Sequence, residues 1–269
     1  MSPEAIRVSV RVALFAAIAL MGRMAFPVLM QTLGNSLAVS ALTNFAAGAV
    51  ANAVLALMYD EGSTASIGLR WKQRSRRDLL TGVLAGVGGA VAIMLTALLL
   101  RMASFGGAGA GGGVINLLFL VLLLLFGAAG EELVFHGYAF QLLTRTAGPF
   151  AAVLPVGVLF GVLHAGNENV TFLAVFNTAA WGVLLGYAFL RTGALWLSIG
   201  LHFGWNAAMP LIGVNLSGFT IGVAGYELRW SVNELWSGGA YGFEGGLFTT
   251  LVVGALFFLL WRAVPDEGA

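Results

Sequence analysis

The chain has 269 residues, 59% of them hydrophobic and 9% charged, with a net charge of +1 and a mean hydropathy of +0.92. A soluble domain carries roughly 25% charged residues, so this composition excludes a soluble globular protein, and the small net charge gives no basis for nucleic-acid binding. The absence of cysteine removes disulfides, thiolate nucleophiles and cysteine-based zinc sites together.

The first stretch, MSPEAIRVSVRVALFAAIALMGRM, places basic residues before an apolar run in the manner of a signal peptide. It has no clear small-x-small cleavage site, and the apolar run resumes after Arg23, so it reads as a retained first span. A transmembrane helix needs about 20 mostly apolar residues. The segments 12–32, 37–58, 79–100, 114–142, 150–165, 170–190, 193–213 and 246–263 approach that requirement. The fifth is short, and the fourth is long enough to tilt or to project past the bilayer. Barrel-type alternation is absent. The fold class expected is therefore all-α, a polytopic membrane protein with about eight helices enclosing an intramembrane cavity. No internal repeat or second domain stands out, so residues 1–269 read as one integral membrane domain, with its core near 114–214. The 38 glycines among the apolar runs predict close helix–helix approach.

Eight spans place the N-terminus, the loop 59–78, the loop 143–149, the turn 191–192 and the C-terminus on one side. That side holds Arg7, Arg11, Arg70, Lys72, Arg74, Arg76, Arg77, Arg145, Arg191 and Arg262, ten of the thirteen Lys and Arg residues. Only Arg101 and Arg229 fall on the other side. By the positive-inside rule both termini are expected in the cytoplasm of a prokaryotic plasma membrane. The cluster GLRWKQRSRR either sets this topology or binds anionic headgroups. The loop 214–245, with Trp230 and Trp236, suits a re-entrant or surface-lying segment.

Inside the predicted spans lie two adjacent carboxylates, Glu131 and Glu132. All three histidines of the chain, His136, His164 and His202, fall within or at the ends of apolar spans. Ionisable groups in hydrocarbon are costly and are rare unless they pair or work. On a helix Glu132 and His136 are i,i+4 and share a face, while Glu131 lies about 100° round. One acid can face a cavity while its neighbour pairs with His136. His202 and Asn206 are also i,i+4, and Phe160 sits one turn before His164. A carboxylate base, an imidazole and a His/Asn donor pair are the parts needed to hydrolyse an amide with water. Each has a plainer reading: single polar residues as interhelical hydrogen-bond partners, the acids as a structural pair, Phe160 as packing, Asn177 as an interhelical hydrogen bond, Glu168 as a solvated loop residue.

The stretches EELVFHG, FGVLH and HFGWN, in that order on successive helices, resemble the motifs EExxxR, FxxxH and HxxxN/D of the CAAX protease and bacteriocin-processing (CPBP) membrane proteins, a family that includes the Ras-converting prenyl protease. The resemblance runs from about residue 114 to 206, and the tail SGGAYGFEGGL before a last span is also similar. It implies an intramembrane endopeptidase. Glu131 would be the general base that activates water with His164, His202 and Asn206 would stabilise the oxyanion, and Glu132 would support the first glutamate. His136 stands where the family has arginine, a departure that concerns the pairing of Glu132.

Two versions of this chemistry are open. One needs no cofactor; the other would ligate zinc through Glu131, His164 and His202. The absence of HExxH, together with Asn206 beside His202, favours the first. Partners would be the lipid bilayer and a membrane-associated peptide or protein, prenylated or not, with no nucleic acid. The competing classes are a proton-coupled transporter using the same acids and histidines, and a non-catalytic membrane protein that keeps the fold.

Overall fold

The computed structural model describes residues 2–263. The positions given a cytoplasmic side above include Met1 and 264–269, which lie outside the described residues. In chain order come α1 (Pro3–Met30), α2 (Ser36–Tyr59), α3 (Ser75–Leu99), β1 (Ala103–Gly107), α4 (Gly113–His136), α5 (Tyr138–Ala147), α6 (Pro149–Leu163), α7 (Phe172–Thr192), α8 (Trp196–Ile212), β2 (Tyr226–Trp230), α9 (Glu234–Ser237) and α10 (Leu247–Ala263). The eight predicted segments correspond to α1, α2, α3, α4, α6, α7, α8 and α10, shifted by a few residues at most ends. Among the described residues, five helical stretches are long and apolar enough to cross a membrane: Pro3–Leu33, Ser36–Tyr59, Ser75–Leu99, Gly113–Ala147 and Phe172–Thr192. Pro149–Leu163 and Leu247–Arg262 are shorter apolar helices. The protein is an all-α polytopic membrane protein.

Local chemistry sets the helix ends. Ser2, Asn35 and Thr171 accept hydrogen bonds from Ala5, Ala38 and Ala174 backbone N–H groups, satisfying donors that a first turn leaves open. Gly193 and Gly213 end α7 and α8 in the left-handed region at φ 66° and 80°. Large apolar side chains such as Leu20, Leu29, Leu99, Ile115, Phe150 and Phe172 are exposed, as a lipid-facing surface requires.

Glycine governs the centre, as the composition predicted. On α3, a Cβ at Gly82 or Gly86 would run into the Leu197 or Leu201 carbonyl oxygen of α8. On α8, one at Gly200 or Gly204 would meet the Leu79 or Val83 carbonyl oxygen of α3. Two small-xxx-small faces thus bring these helices to backbone contact.

One expectation is refined. The stretch 114–142 is not one unbroken helix, because the helix breaks at Gly137 between α4 and α5. Asn52, fully buried on α2, donates to the Leu133 carbonyl at 2.8 Å and accepts from Tyr138 N–H at 2.7 Å, satisfying groups the break exposes. The loop 214–245, read as a re-entrant or surface-lying segment, has regular structure of its own. It contributes β2, which pairs antiparallel with β1 (Ser104 opposite Arg229), then α9 and two short 3-10 turns.

The connections gather at two ends. At one, Leu195 N–H donates to the Gly68 carbonyl at 2.9 Å and Trp196 to the Arg70 carbonyl at 3.2 Å, joining the α7–α8 turn to the α2–α3 loop. At the other, the β1–β2 pair and an Asn167–Ser217 hydrogen bond at 3.1 Å join the α6–α7 connection to the chain after α8. The first is called here the basic end, the second the sheet end.

Candidate active site

Glu131 and Glu132, neighbours on α4, point to different places. Glu132 has no exposed surface and lies between α4 and α8. Its Oε2 is 2.8 Å from Nδ1 of His136 and its Oε1 is 2.8 Å from Nδ1 of His202. Glu131 is partly exposed and faces a cavity of about 180 Å³. Its Oε1 accepts from Asn44 Nδ2 at 3.3 Å, and its Oε2 stands 3.8 Å from Nε2 of both His164 and His202. One ring therefore touches both acids: His202 holds Glu132 with one nitrogen and turns the other toward Glu131.

The partners fix which nitrogens carry protons. Nδ1 of His164 is 2.7 Å from the Phe160 carbonyl oxygen, which can only accept, so Nδ1–H donates and the neutral ring offers the Nε2 lone pair to the cavity. Against an ionised Glu132, His202 and His136 likewise donate through Nδ1. His136 Nε2 is buried without a partner, against Gly186 and the Phe140 ring.

The polar face of α8 follows from its glycines. Gly200 and Gly204 face α3, and two residues on from each, about 200° round the helix, His202 and Asn206 face the cavity. Asn206 has no hydrogen-bond partner among the described residues, leaving its amide available. Phe160 is buried between two imidazoles, its ring centroid 4.6 Å from that of His164 and 6.0 Å from that of His202. It forms the wall expected of it, and its carbonyl also sets the tautomer of His164.

All the candidates from the sequence thus gather around one cavity: Glu131, His164, His202, Asn206 and Phe160 line it, and Glu132 with His136 lie directly behind. The pairing of Glu132 with His136 was legible from i,i+4 spacing. Asn177 is a linking residue, as expected; it donates to the Glu244 and Gly246 carbonyls at 2.8 and 3.0 Å and accepts from Thr250 at 2.7 Å. Glu168 is exposed.

Two participants were missed. Asn44 could have been noticed as an amide in an apolar span, eight residues before Asn52. Glu244 lies in the tail SGGAYGFEGGL, outside every predicted span, yet it is buried and lines the cavity. Its Oε2 accepts from Ser217 N–H at 2.7 Å and Ser217 Oγ–H at 2.8 Å, and its Oε1 from Trp205 Nε1 at 3.3 Å. These bonds tie the tail to the helix that carries Asn206.

Among the described residues no group of three or more His, Cys, Asp or Glu side chains is arranged to hold a metal ion. In the set proposed for zinc, the Nδ1 atoms of His164 and His202 already have partners, and only their Nε2 atoms converge on Glu131.

Fold and site together define a polytopic helical membrane protein with a carboxylate–histidine centre between its helices. Residues 113–208, which contain every motif residue from Glu131 to Asn206, match the family model described as type II CAAX prenyl endopeptidase Rce1-like. The match agrees with the resemblance read from the three motifs. The chain is also similar to the uncharacterized protein YyaK of Bacillus subtilis (strain 168), 35% identical over 82 residues. That match covers 29% of this chain and 27% of the relative, so it spans about a quarter of the relative's length.

Proposed function

We propose that this protein is an intramembrane endopeptidase that hydrolyses a membrane-associated peptide with a water activated by Glu131. The observation that carries the reading is the convergence of two imidazole Nε2 atoms on one Glu131 oxygen, each at 3.8 Å, with the far nitrogen of each ring already engaged. A water on Glu131 in the cavity can also donate to the lone pair of His164 Nε2. Glu131 takes a proton as the water oxygen attacks the scissile carbonyl, then returns it to the departing amine.

The oxyanion formed in that attack needs donors. Asn206 supplies an amide N–H. His202 supplies Nε2–H when doubly protonated, and Glu132, bonded to its Nδ1, balances that charge. Glu132 therefore acts through His202 and is a positioning residue. The substrate is a peptide at the membrane, and the family name makes a prenylated one a candidate to test. Zinc bound by Glu131, His164 and His202 is the alternative to separate in the same assay.

The test is cleavage of synthetic membrane peptides, with and without a prenyl group, by protein purified in detergent. Glu131→Gln keeps the shape but loses the base, so turnover should fall at least about 100-fold while the melting temperature holds. Turnover close to that of the parent would remove Glu131 from this role. A chelator should leave the parent's rate unchanged, and loss restored by zinc would favour the metal version.

A further inference from the structure

The cavity is closed toward the basic end. Behind Glu131 stand Glu132, His136, Tyr138 and Phe140, exposed by 0%, 0%, 1% and 1%. Toward the sheet end it is bounded by connecting segments: Asn167 after α6, and Leu216, Ser217 and Phe219 after α8. Among the described residues, no connection from the basic end contributes to its lining. Phe219 at this rim is exposed, as is Ser40 on the α2 wall.

The charges divide along the same axis. The basic end carries Arg7 and Arg11, the cluster from Arg70 to Arg77, Arg145, Arg191 and Arg262. The sheet end carries Arg101 and Arg229, beside Glu168, Glu227 and Glu234. The connecting segments are short, which is the condition under which a Lys/Arg bias sets orientation, and that rule assigns the basic end to the cytoplasm.

From these two asymmetries we infer that the cavity opens on the face opposite the cytoplasm, and that its occupant enters from there. The inference rests on the peptidase reading only in calling that occupant a substrate. The substrate class is then a peptide segment already translocated across the membrane or anchored in its outer leaflet. A peptide anchored at the cytoplasmic surface would meet the buried layer from Glu132 to Phe140 rather than the mouth.

The absence of cysteine makes this directly measurable, because each engineered thiol is the only one in the chain. Phe219→Cys reports the rim, Ser40→Cys the cavity wall, and Thr64→Cys the exposed loop at the basic end. Each is expressed in bacterial spheroplasts and treated with a charged, membrane-impermeant thiosulfonate before and after permeabilisation; reaction in detergent defines complete labelling. The first two should label as fully in intact spheroplasts as after permeabilisation, and Thr64→Cys only after it. The reverse pattern overturns the inference. So does labelling of all three in intact spheroplasts, or a Ser40→Cys that reacts only in detergent. Because the thiols lie on three separate segments, one misfolded variant still leaves reporters in place. Repeating the labelling on the Glu131→Gln background separates this question from activity: orientation can fail while peptidase function stands, and the converse.

Discussion

Glu132 Oε1 and His202 Nδ1, separated by 70 positions in the chain, lie 2.8 Å apart between α4 and α8, while the other Glu132 oxygen is 2.8 Å from His136 Nδ1. One carboxylate without solvent access thus holds two imidazoles from two helices, and it decides which nitrogen His202 offers the cavity. Breaking such a group should cost stability and activity together. Glu132→Gln still accepts from one ring but turns an NH2 toward the other, and should destabilise the fold by roughly 2–4 kcal/mol. Thermal melting in detergent checks this, with cleavage measured well below the melting temperature. An unchanged melting temperature would show that a neutral amide serves as well as the acid.

His136 contributes one donor, Nδ1, and its other nitrogen has no partner. An asparagine amide nitrogen occupies nearly the place of Nδ1, so His136→Asn should keep the bond to Glu132. His136→Ala removes both bond and volume and should cost about 3 kcal/mol or more. The comparison is of melting temperature and turnover in the two variants. Equal damage from both would mean that the ring itself, packed on Phe140 at 5.0 Å, is what the site requires.

Asn206 separates binding from catalysis. Asn206→Ala should raise the barrier by roughly 2–4 kcal/mol, the scale for losing one oxyanion donor, with little change in melting because its amide serves no structural bond. Steady-state kinetics decide between roles. A higher Michaelis constant at unchanged turnover would assign Asn206 to holding the ground-state substrate.

The α3–α8 contact supports a prediction away from the chemistry. Gly204→Leu drives a side chain into the Val83 backbone and should cost more than about 3 kcal/mol, seen as lost yield and melting temperature. Gly88→Ala on α3 meets open space and should be neutral or stabilising by about 0.5–1 kcal/mol. A tolerated Gly204→Leu would mean the two helices can separate without loss of the fold.

Much of this protein is determined by sequence-local physics. Runs of apolar residues set the helices, because a chain in hydrocarbon must satisfy its own backbone. Fixed helical periodicity set the Glu132–His136 and His202–Asn206 pairs, since four residues always return a side chain to the same face. The tertiary structure decided what crosses between helices. The second partner of Glu132 is on α8, and the amide that touches Glu131 is Asn44 on α2. The third carboxylate at the cavity, Glu244, comes from a glycine-rich tail whose turns have no periodicity to read. The break at Gly137 had no proline and no polar run to announce it; Asn52, on another helix, supplies the donor and acceptor that make it stable. Glycine composition implied close packing, but only the register of Gly82 and Gly86 against Gly200 and Gly204 turns His202 and Asn206 toward the acids. Spacing along a chain fixes faces; which faces meet is set by the backbone contacts between helices, and those are not local.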